Sequence, residues 1–158
     1  MIRPVYLTAL VVVLSDQLSK LLALQHLSGR GVAPLLPGLL QQRLVFNTGA
    51  AFSLLEGNAF GLGLVSAVVA LGLVLWIQTS GPLSRWQSLG LGLLLGGAIG
   101  NGIDRWRLGS VVDFLEFVPI QFPVFNLADT AINLAVVCLL APQGHRDQGS
   151  EAGCAARR

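Results

Sequence analysis

Long apolar runs separated by shorter polar stretches make up most of this chain. Four of the runs have about the length of a helix that crosses a bilayer core, which takes roughly 20 residues. They cover about residues 5–24, 59–79, 86–104 and 124–141. The second run contains no charged residue. The pattern therefore predicts four transmembrane helices.

Two connectors between these runs have a different pattern. Gln42 to Phe46 is typical of a short strand, in a connector too long to be a plain turn. Ser110 to Phe117 alternates well enough to be a strand or an interfacial segment. We expect one domain over residues 1–141, mainly α with a small β element, and a disordered polar tail over 142–158.

A secretory signal peptide is the competing interpretation of the first run. Arg3 precedes a short apolar stretch, Val5–Leu14, as in such peptides. No small-residue cleavage site follows, however, because Asp16–Lys20 and more apolar residues come next. We therefore expect a retained helix.

Composition agrees with a membrane protein and excludes other classes. The hydrophobic share of 53% and the mean hydropathy of +0.69 are too high for an ordinary soluble core. The net charge of +2, from scattered basic residues, gives no reason to expect nucleic acid as a partner. Cys138 lies in an apolar run and Cys154 in the polar tail, so we expect neither a disulfide nor a metal site.

The distribution of arginines gives the orientation. With four helices, both termini lie on the same side of the membrane. That side has five arginines, and the other side has four. The short turn at Arg85 and the basic tail favour the cytoplasm for the termini.

Polar residues inside the apolar runs gather at one depth. Because consecutive helices alternate in direction, Asp16, Asn101, Asp104 and Asp129 fall in one layer between the membrane centre and the non-cytoplasmic surface. Carboxylates at such depth are costly unless paired, hydrated or protonated, so they indicate function by default.

Spacing suggests structural roles for several of these residues. Asp16 and Lys20 are four apart and are interpreted first as a charge pair that fixes the first helix. Asn126 and Asn133 share a helix face with Asp129, and interhelical hydrogen bonds are an adequate explanation for both amides. Gly92, Gly96 and Gly100 recur every fourth residue, and close helix packing is sufficient to explain them.

Arg105 has several possible partners. Asp104 and Arg105 form either an interfacial ion pair or a site in which Arg105 holds a lipid phosphate or a peptide carbonyl, and the sequence gives no preference.

Asp113 and Asp129 are the candidate catalytic residues. If the two carboxyls approach, they cannot both ionise cheaply, so they share a proton. Such a pair can activate a water as base and protonate a carbonyl or leaving amine, which is amide hydrolysis without a covalent intermediate. From pattern alone, an ion or proton pathway through Asp16, Lys20 and Asp129 is equally compatible, and a non-catalytic assembly protein remains a third class.

The sequence offers few of the residues that other hydrolytic mechanisms require. A zinc site needs clustered ligands, but His26 and His145 are far apart. Cys138 has no evident base beside it. Lys20, the only lysine, could serve a serine nucleophile at Ser15, Ser19 or Ser53, although Asp16 one turn away opposes the lowered pKa that this requires.

Five short motifs, in order along the chain, resemble those of the lipoprotein signal peptidases, the type II signal peptidases. They are Asp16-Gln17-Leu18-Ser19-Lys20, Asn47-Thr48-Gly49-Ala50-Ala51-Phe52-Ser53, Gly96 to Arg105, Val111-Val112-Asp113-Phe114 and Phe125-Asn126-Leu127-Ala128-Asp129. Gly102 stands where an apolar residue is more usual, and we expect it to loosen the end of the third helix.

This resemblance implies an aspartic peptidase of four transmembrane helices with a small extracytoplasmic β element, in a bacterial inner membrane, with its site near the outer leaflet. It implies Asp113 and Asp129 as the catalytic pair, with no metal and no cofactor. The substrate would be a diacylglyceryl-modified prolipoprotein, cut just before the lipidated cysteine, and globomycin the inhibitor. We expect a monomer in contact with membrane lipid. The expected supporting residues are Asp16, Lys20, Asn47, Gly97, Asn101, Asp104, Arg105, Asn126 and Asn133.

Overall fold

The computed structural model describes residues 4–49, 58–120 and 122–141, which form a mainly helical structure with a small antiparallel sheet. The helices are α1 (Pro4–Leu27), α2 (Ala59–Thr79), α3 (Arg85–Leu108) and α4 (Leu127–Leu140). The strands are β1 (Ala33–Leu36), β2 (Leu40–Asn47) and β3 (Val111–Phe117). The second half of the Asn47–Ser53 motif and the predicted disordered tail lie outside the described residues.

Helix α3 is the centre of the bundle and contacts each of the other three helices. Its glycines make this possible. A Cβ at Gly96 would lie 2.8 Å from the Ala9 carbonyl oxygen of α1. A Cβ at Gly97 would lie 2.7 Å from the Ala128 carbonyl oxygen of α4. The predicted close approach of another helix along the glycine series is thus confirmed, and Gly97 adds a second close approach on a different face.

Two helices end later than predicted. Helix α1 continues to Leu27 rather than stopping near residue 24, and α3 continues to Leu108 rather than 104. The stop signal of α3 is Gly109, whose φ of 71° permits the left-handed cap. The expectation that Gly102 loosens this end is wrong, because α3 runs unbroken through it and packs it against Ser66 of α2.

Helix α4 begins later than the predicted residue 124. Asn126 has extended backbone angles, and its side chain accepts a hydrogen bond from the Asp129 backbone N–H. The Asp129 side chain accepts one from the Asn126 N–H in return, which completes a capping box. A helix capped in this way cannot extend backwards through Asn126.

The sheet packs against α1 and α3, and its third strand carries Asp113. Its strand order is β1-β2-β3, with both pairs antiparallel, so the two predicted strands are confirmed. The short strand β1 was not predicted, since Pro34 lies inside it and turn formers surround it. Pairing of Val45 with Asp113 sets the register of β3 on β2.

Apolar side chains cover the outside of all four helices. Leu18 of α1, Val68 of α2 and Val137 of α4 are each more than half exposed, and Trp86 of α3 is 41% exposed. Helices α1 and α2 are long and apolar enough to cross a membrane by length and composition. Helix α4 has 14 residues, which span about 21 Å.

Candidate active site

Buried polar side chains occupy one end of the bundle, as predicted from their depth in the sequence. They come from α1, α3, β3 and the start of α4. The set comprises Asp16, Lys20, Asn101, Asp104, Ser110, Asp113 and Asn126. Apart from Ser110, these residues form two connected groups together with Asp129.

The first group is an ion triad of Asp16, Lys20 and Asp104. The Lys20 ammonium lies 2.8 Å from Asp16 Oδ2 and 2.9 Å from Asp104 Oδ2. It also donates to Asn101 Oδ1 at 3.0 Å, so each of its three hydrogens has an acceptor. The predicted pair of Asp16 with Lys20 is confirmed. Of the two interpretations of Asp104 and Arg105, the ion pair between them is not the one that forms. Asp104 turns towards α1 and pairs with Lys20 instead.

The triad also holds the backbone next to both candidate catalytic residues. Asp16 Oδ1 accepts from the Ala128 N–H at 3.0 Å, immediately before Asp129. Asp104 Oδ2 accepts from the Val112 N–H at 3.2 Å, immediately before Asp113. Through these two bonds, the triad fixes where the chain enters each candidate residue.

Gln17 belongs to this group and was missed as a site residue in the sequence analysis. Its Nε2 donates to Asp104 Oδ1 at 3.0 Å, and to Asp16 Oδ2 and the Gly100 carbonyl oxygen at 3.2 Å. An amide beside two charged residues in an apolar helix was the available signal. It satisfies triad oxygens that would otherwise be buried without enough donors.

The second group is the acidic pair of Asp113 and Asp129, which share Asn126 as a neighbour. Asn126 Nδ2 donates to Asp113 Oδ1 at 2.6 Å, and the Asn126 backbone N–H donates to Asp129 Oδ2 at 3.2 Å. Asn47 Nδ2 donates to Asp113 Oδ2 at 3.0 Å, and Asn101 Nδ2 to Asp129 Oδ1 at 2.8 Å. The donors to both carboxyls in the described structure are therefore neutral amides.

Burial raises the pKa of Asp113 from the ordinary 3.8 to about 6, and the charge of Asp129 adds to the rise. Hydrogen bonds from Asn47 and Asn126 and the charge of Lys20 lower it in part. The carboxyl of Asp113 therefore holds a proton more readily than an ordinary aspartate, which is the property required of a general acid.

Both acids of the pair line an open cavity of about 840 Å³ between the sheet and the helix ends. Its polar wall includes Arg43, Asn47, Thr48, Asn101, Arg105 and Asn133. Its apolar wall includes Val45, Phe46, Phe122, Val124, Phe125 and Ile132. A cavity of this size with a few convergent polar groups suits a peptide that carries an apolar substituent.

The remaining predicted residues have defined positions. Arg105 lines the cavity and its Nη2 lies 3.5 Å from the Gly49 carbonyl oxygen, so of the partners considered it contacts a carbonyl within the chain. Asn126 makes the expected interhelical bond, to Asn101 Oδ1 at 3.1 Å. Asn133 does not, since its amide donates to the Asp129 carbonyl oxygen of its own helix.

Other candidate groups for chemistry are engaged elsewhere. Lys20 is saturated by its three acceptors, and Ser19 donates to the Asp16 carbonyl oxygen, so a serine–lysine mechanism with this serine is unsupported. His26 is exposed, and its Nδ1 contacts the Leu22 carbonyl oxygen. Cys138 is buried, as predicted. Ser53 and His145 lie outside the described residues.

Comparisons with known proteins identify the family of the chain. The model of the signal peptidase (SPase) II family matches residues 8–143. The chain belongs to the signal peptidase II family. A lipoprotein signal peptidase of Parasynechococcus marenigrum (strain WH8102) is 55% identical over 82% of each chain. One of Gloeobacter violaceus is 45% identical over 85% of this chain and 78% of its own length.

A solved structure agrees with this assignment. A bacterial membrane enzyme determined by the in meso method at 1.9 Å resolution superposes with a TM-score of 0.77. It is 28% identical, over 88% of this chain and 94% of its own. Family membership makes the chain an aspartic peptidase that removes signal peptides from prolipoproteins, and it decides against the ion-pathway and assembly alternatives.

Proposed function

We propose that Asp113 and Asp129 are the catalytic pair of this peptidase and that they hydrolyse the peptide bond through an activated water. The observation that carries the proposal is their common position. Both carboxyls line one cavity, both contact Asn126, and each is bound by neutral amides. The ion triad differs in this respect: among the described residues that line the cavity, none is Asp16, Lys20 or Asp104.

The two carboxyls share one proton in this proposal, and we assign it to Asp113, whose pKa is raised to about 6 by burial. Asp129, as the ionised member, takes a proton from the water while the water oxygen attacks the carbonyl carbon. Asp113, as the protonated member, gives its proton to the carbonyl oxygen. Collapse of the tetrahedral intermediate breaks the C–N bond: one of its hydroxyl groups returns a proton to Asp113 as the carbonyl re-forms, and the proton that Asp129 gained passes to the leaving amine. Charges and protons balance without a covalent enzyme intermediate.

The substrate in this proposal is a prolipoprotein whose cysteine already carries diacylglycerol, and cleavage falls just before that cysteine. The mixed lining of the cavity supports this. Phe46, Phe122, Phe125 and Ile132 offer contact to an apolar substituent, while Arg105 and the asparagines offer hydrogen bonds to a peptide backbone. Globomycin, as a cyclic peptide, is proposed to compete for the same cavity.

The membrane arrangement is part of the proposal. Four helices cross the bilayer, with the termini in the cytoplasm and the cavity near the outer leaflet of the bacterial inner membrane. Exposed apolar side chains on every helix support contact with lipid all round the bundle, and hence a monomer. The glycines of α3 lower its mean hydropathy but face other helices rather than lipid.

The direct test compares Asp113→Asn and Asp129→Asn with the matched control Glu116→Gln. Glu116 lies on the same strand as Asp113 but pairs with Arg43 and Gln41. Each purified protein is incubated with a diacylglyceryl-modified precursor, with and without globomycin. Loss of the pair is expected to lower kcat by about 10³-fold or more. The control is expected to retain cleavage that globomycin blocks. Cleavage by either asparagine variant at the rate of the control would refute the proposed pair.

A further inference from the structure

Three asparagines present their amide nitrogens to the acidic pair, and an amide can do this only if its oxygen is turned away. Asn47 and Asn126 donate to Asp113, and Asn101 donates to Asp129. A carboxamide that flipped would place its oxygen against a carboxyl oxygen and withdraw the hydrogen-bond donor from that acid. Some feature must therefore fix the direction of each amide.

In each case a group that can only donate contacts the amide oxygen. The Gly49 backbone N–H donates to Asn47 Oδ1 at 3.0 Å, and the Asp129 backbone N–H donates to Asn126 Oδ1 at 2.9 Å. For Asn101 this role falls to the Lys20 ammonium, at 3.0 Å. Lys20 is thus the one charged side chain among these orienting donors, since Gly49 and Asp129 contribute backbone N–H groups.

The orientation of Asn101 affects both acids. Its Oδ1 also accepts from Asn126 Nδ2 at 3.1 Å, and the same Asn126 nitrogen donates to Asp113. Turning the Asn101 amide would remove the donor from Asp129 and put two amino groups, those of Asn101 and Asn126, against each other. The direction of one carboxamide therefore sets the hydrogen bonds of the whole acidic pair.

We infer that Lys20 is a positioning residue for the peptidase reaction: its ammonium holds the Asn101 oxygen so that the Asn101 amino group must face Asp129. This assignment rests on the proposed catalytic pair. It differs from a purely structural role, in which Lys20 only neutralises Asp16 and Asp104. Lys20 itself contacts neither Asp113 nor Asp129 within hydrogen-bond distance in the described structure.

The first experiment replaces Lys20 without leaving an extra buried charge. Lys20→Met alone leaves Asp16 and Asp104 unpaired, so Lys20→Met/Asp16→Asn is made beside it, which restores the original net charge of the triad. The amide oxygen that Asp16→Asn introduces can still accept from the Ala128 N–H. The control is Glu116→Gln, which breaks an ion pair with Arg43 outside the triad and leaves Asn101 untouched.

The expected result is a selective loss of turnover. With the diacylglyceryl-modified precursor, the charge-restored variant is expected to lose about 10- to 100-fold in kcat, the usual effect of removing an orienting partner, with KM changed little. Glu116→Gln is expected to change kcat by less than about threefold. Thermal unfolding in detergent checks that both variants are folded. An unchanged kcat in the charge-restored variant, an equal loss in the control, or failure of both Lys20 variants to fold overturns the inference.

A double-mutant cycle separates action through Asn101 from an independent effect. If Lys20 works by orienting Asn101, its loss is expected to change the rate less than about twofold in an Asn101→Ala background, measured in single turnover with enzyme in excess. If the two substitutions instead lower the rate by the product of their separate effects, the inference about Lys20 is overturned. The proposed catalytic pair is not affected by that result. Retained activity in Asp113→Asn or Asp129→Asn would instead overturn the proposed pair itself, so the two failures are distinguishable.

Discussion

The ion triad and the acidic pair each contain two aspartates, lie at the same end of the bundle and share Asn101 as a neighbour, yet their chemistry is opposite. In the triad, a lysine ammonium separates Asp16 from Asp104. Around Asp113 and Asp129, amides supply the hydrogen bonds and a cavity opens beside them. The neighbours of an aspartate, rather than its depth, therefore decide whether it serves as a fixed anchor or as a reactive group.

The physical reason is the interaction between like charges at low dielectric. A cation between two carboxylates offsets the repulsion between them. Amide donors stabilise each carboxylate but carry no charge, so the repulsion between the two acids remains. The triad is thus expected to stabilise the fold when ionised, whereas ionisation of Asp113 is expected to destabilise it. The two groups should respond to the same Asp→Asn change with opposite signs.

Removing a triad acid is expected to have the largest effect on stability. Asp104→Asn breaks a buried ion pair and weakens the acceptor for the Val112 N–H, and it should lower the free energy of unfolding by about 3 kcal/mol. Chemical unfolding of the variant in detergent micelles at pH 8 measures this. A free energy within experimental error of the unsubstituted protein would mean that the triad does not anchor the fold.

The same substitution in the acidic pair should become steadily more favourable to stability as the pH rises from about 4 to above 6. The pKa of Asp113 is about 6 in the folded chain against 3.8 ordinarily, so its favourable contribution is complete below about pH 4 and is lost as the pH rises through 6. The loss amounts to at most about 3 kcal/mol. Asp113→Asn cannot ionise and should escape it.

This prediction is checked by comparing the unfolding temperatures of Asp113→Asn and the unsubstituted protein at pH 5 and at pH 8. The difference should move in favour of the variant as the pH rises. A difference independent of pH would show that Asp113 titrates alike in the folded and unfolded chain.

A smaller change tests the packing behind the triad. A Cβ at Gly100 would lie 2.6 Å from Asp16 Oδ2, so Gly100→Ala must displace that carboxylate or separate α1 from α3. The expected loss of stability is about 1–3 kcal/mol. Gly72→Ala is the matched control, since a Cβ there meets no atom within 4 Å and alanine favours a helix. Equal unfolding temperatures for the two variants would contradict the close approach at Gly100.

Periodicity and spacing predicted the features that follow from the pattern within each helix and from the order of the helices. The i, i+4 spacing of Asp16 and Lys20 was sufficient to pair them, and alternating helix directions were sufficient to place the polar layer. The partner of Asp104 was not predictable in this way. It depends on how α1 is rotated against α3, which the glycine contacts decide in three dimensions.

The sheet shows the same limit. The alternation in residues 110–117 predicted a strand, but the position of Asp113 over the helix ends depends on its register against Val45 and on the link from Leu115 to Phe125. Strand β1 was missed because its four residues include a proline and its pairing partner lies across a turn. The shortened start of α4 follows from reciprocal bonds between Asn126 and Asp129, which a hydropathy pattern does not contain.

Helix α4 is the last of the four helices to leave the ribosome, and it carries Asp129 together with the N–H that Asp16 binds. Before α4 is made, two hydrogen bonds of the site cannot form. Asp113 has no Asn126 amide to donate to it, and Asp16 has no Ala128 N–H from which to accept. On the proposed assignment of the catalytic pair, a nascent chain stalled before α4 is therefore expected to lack proteolytic activity.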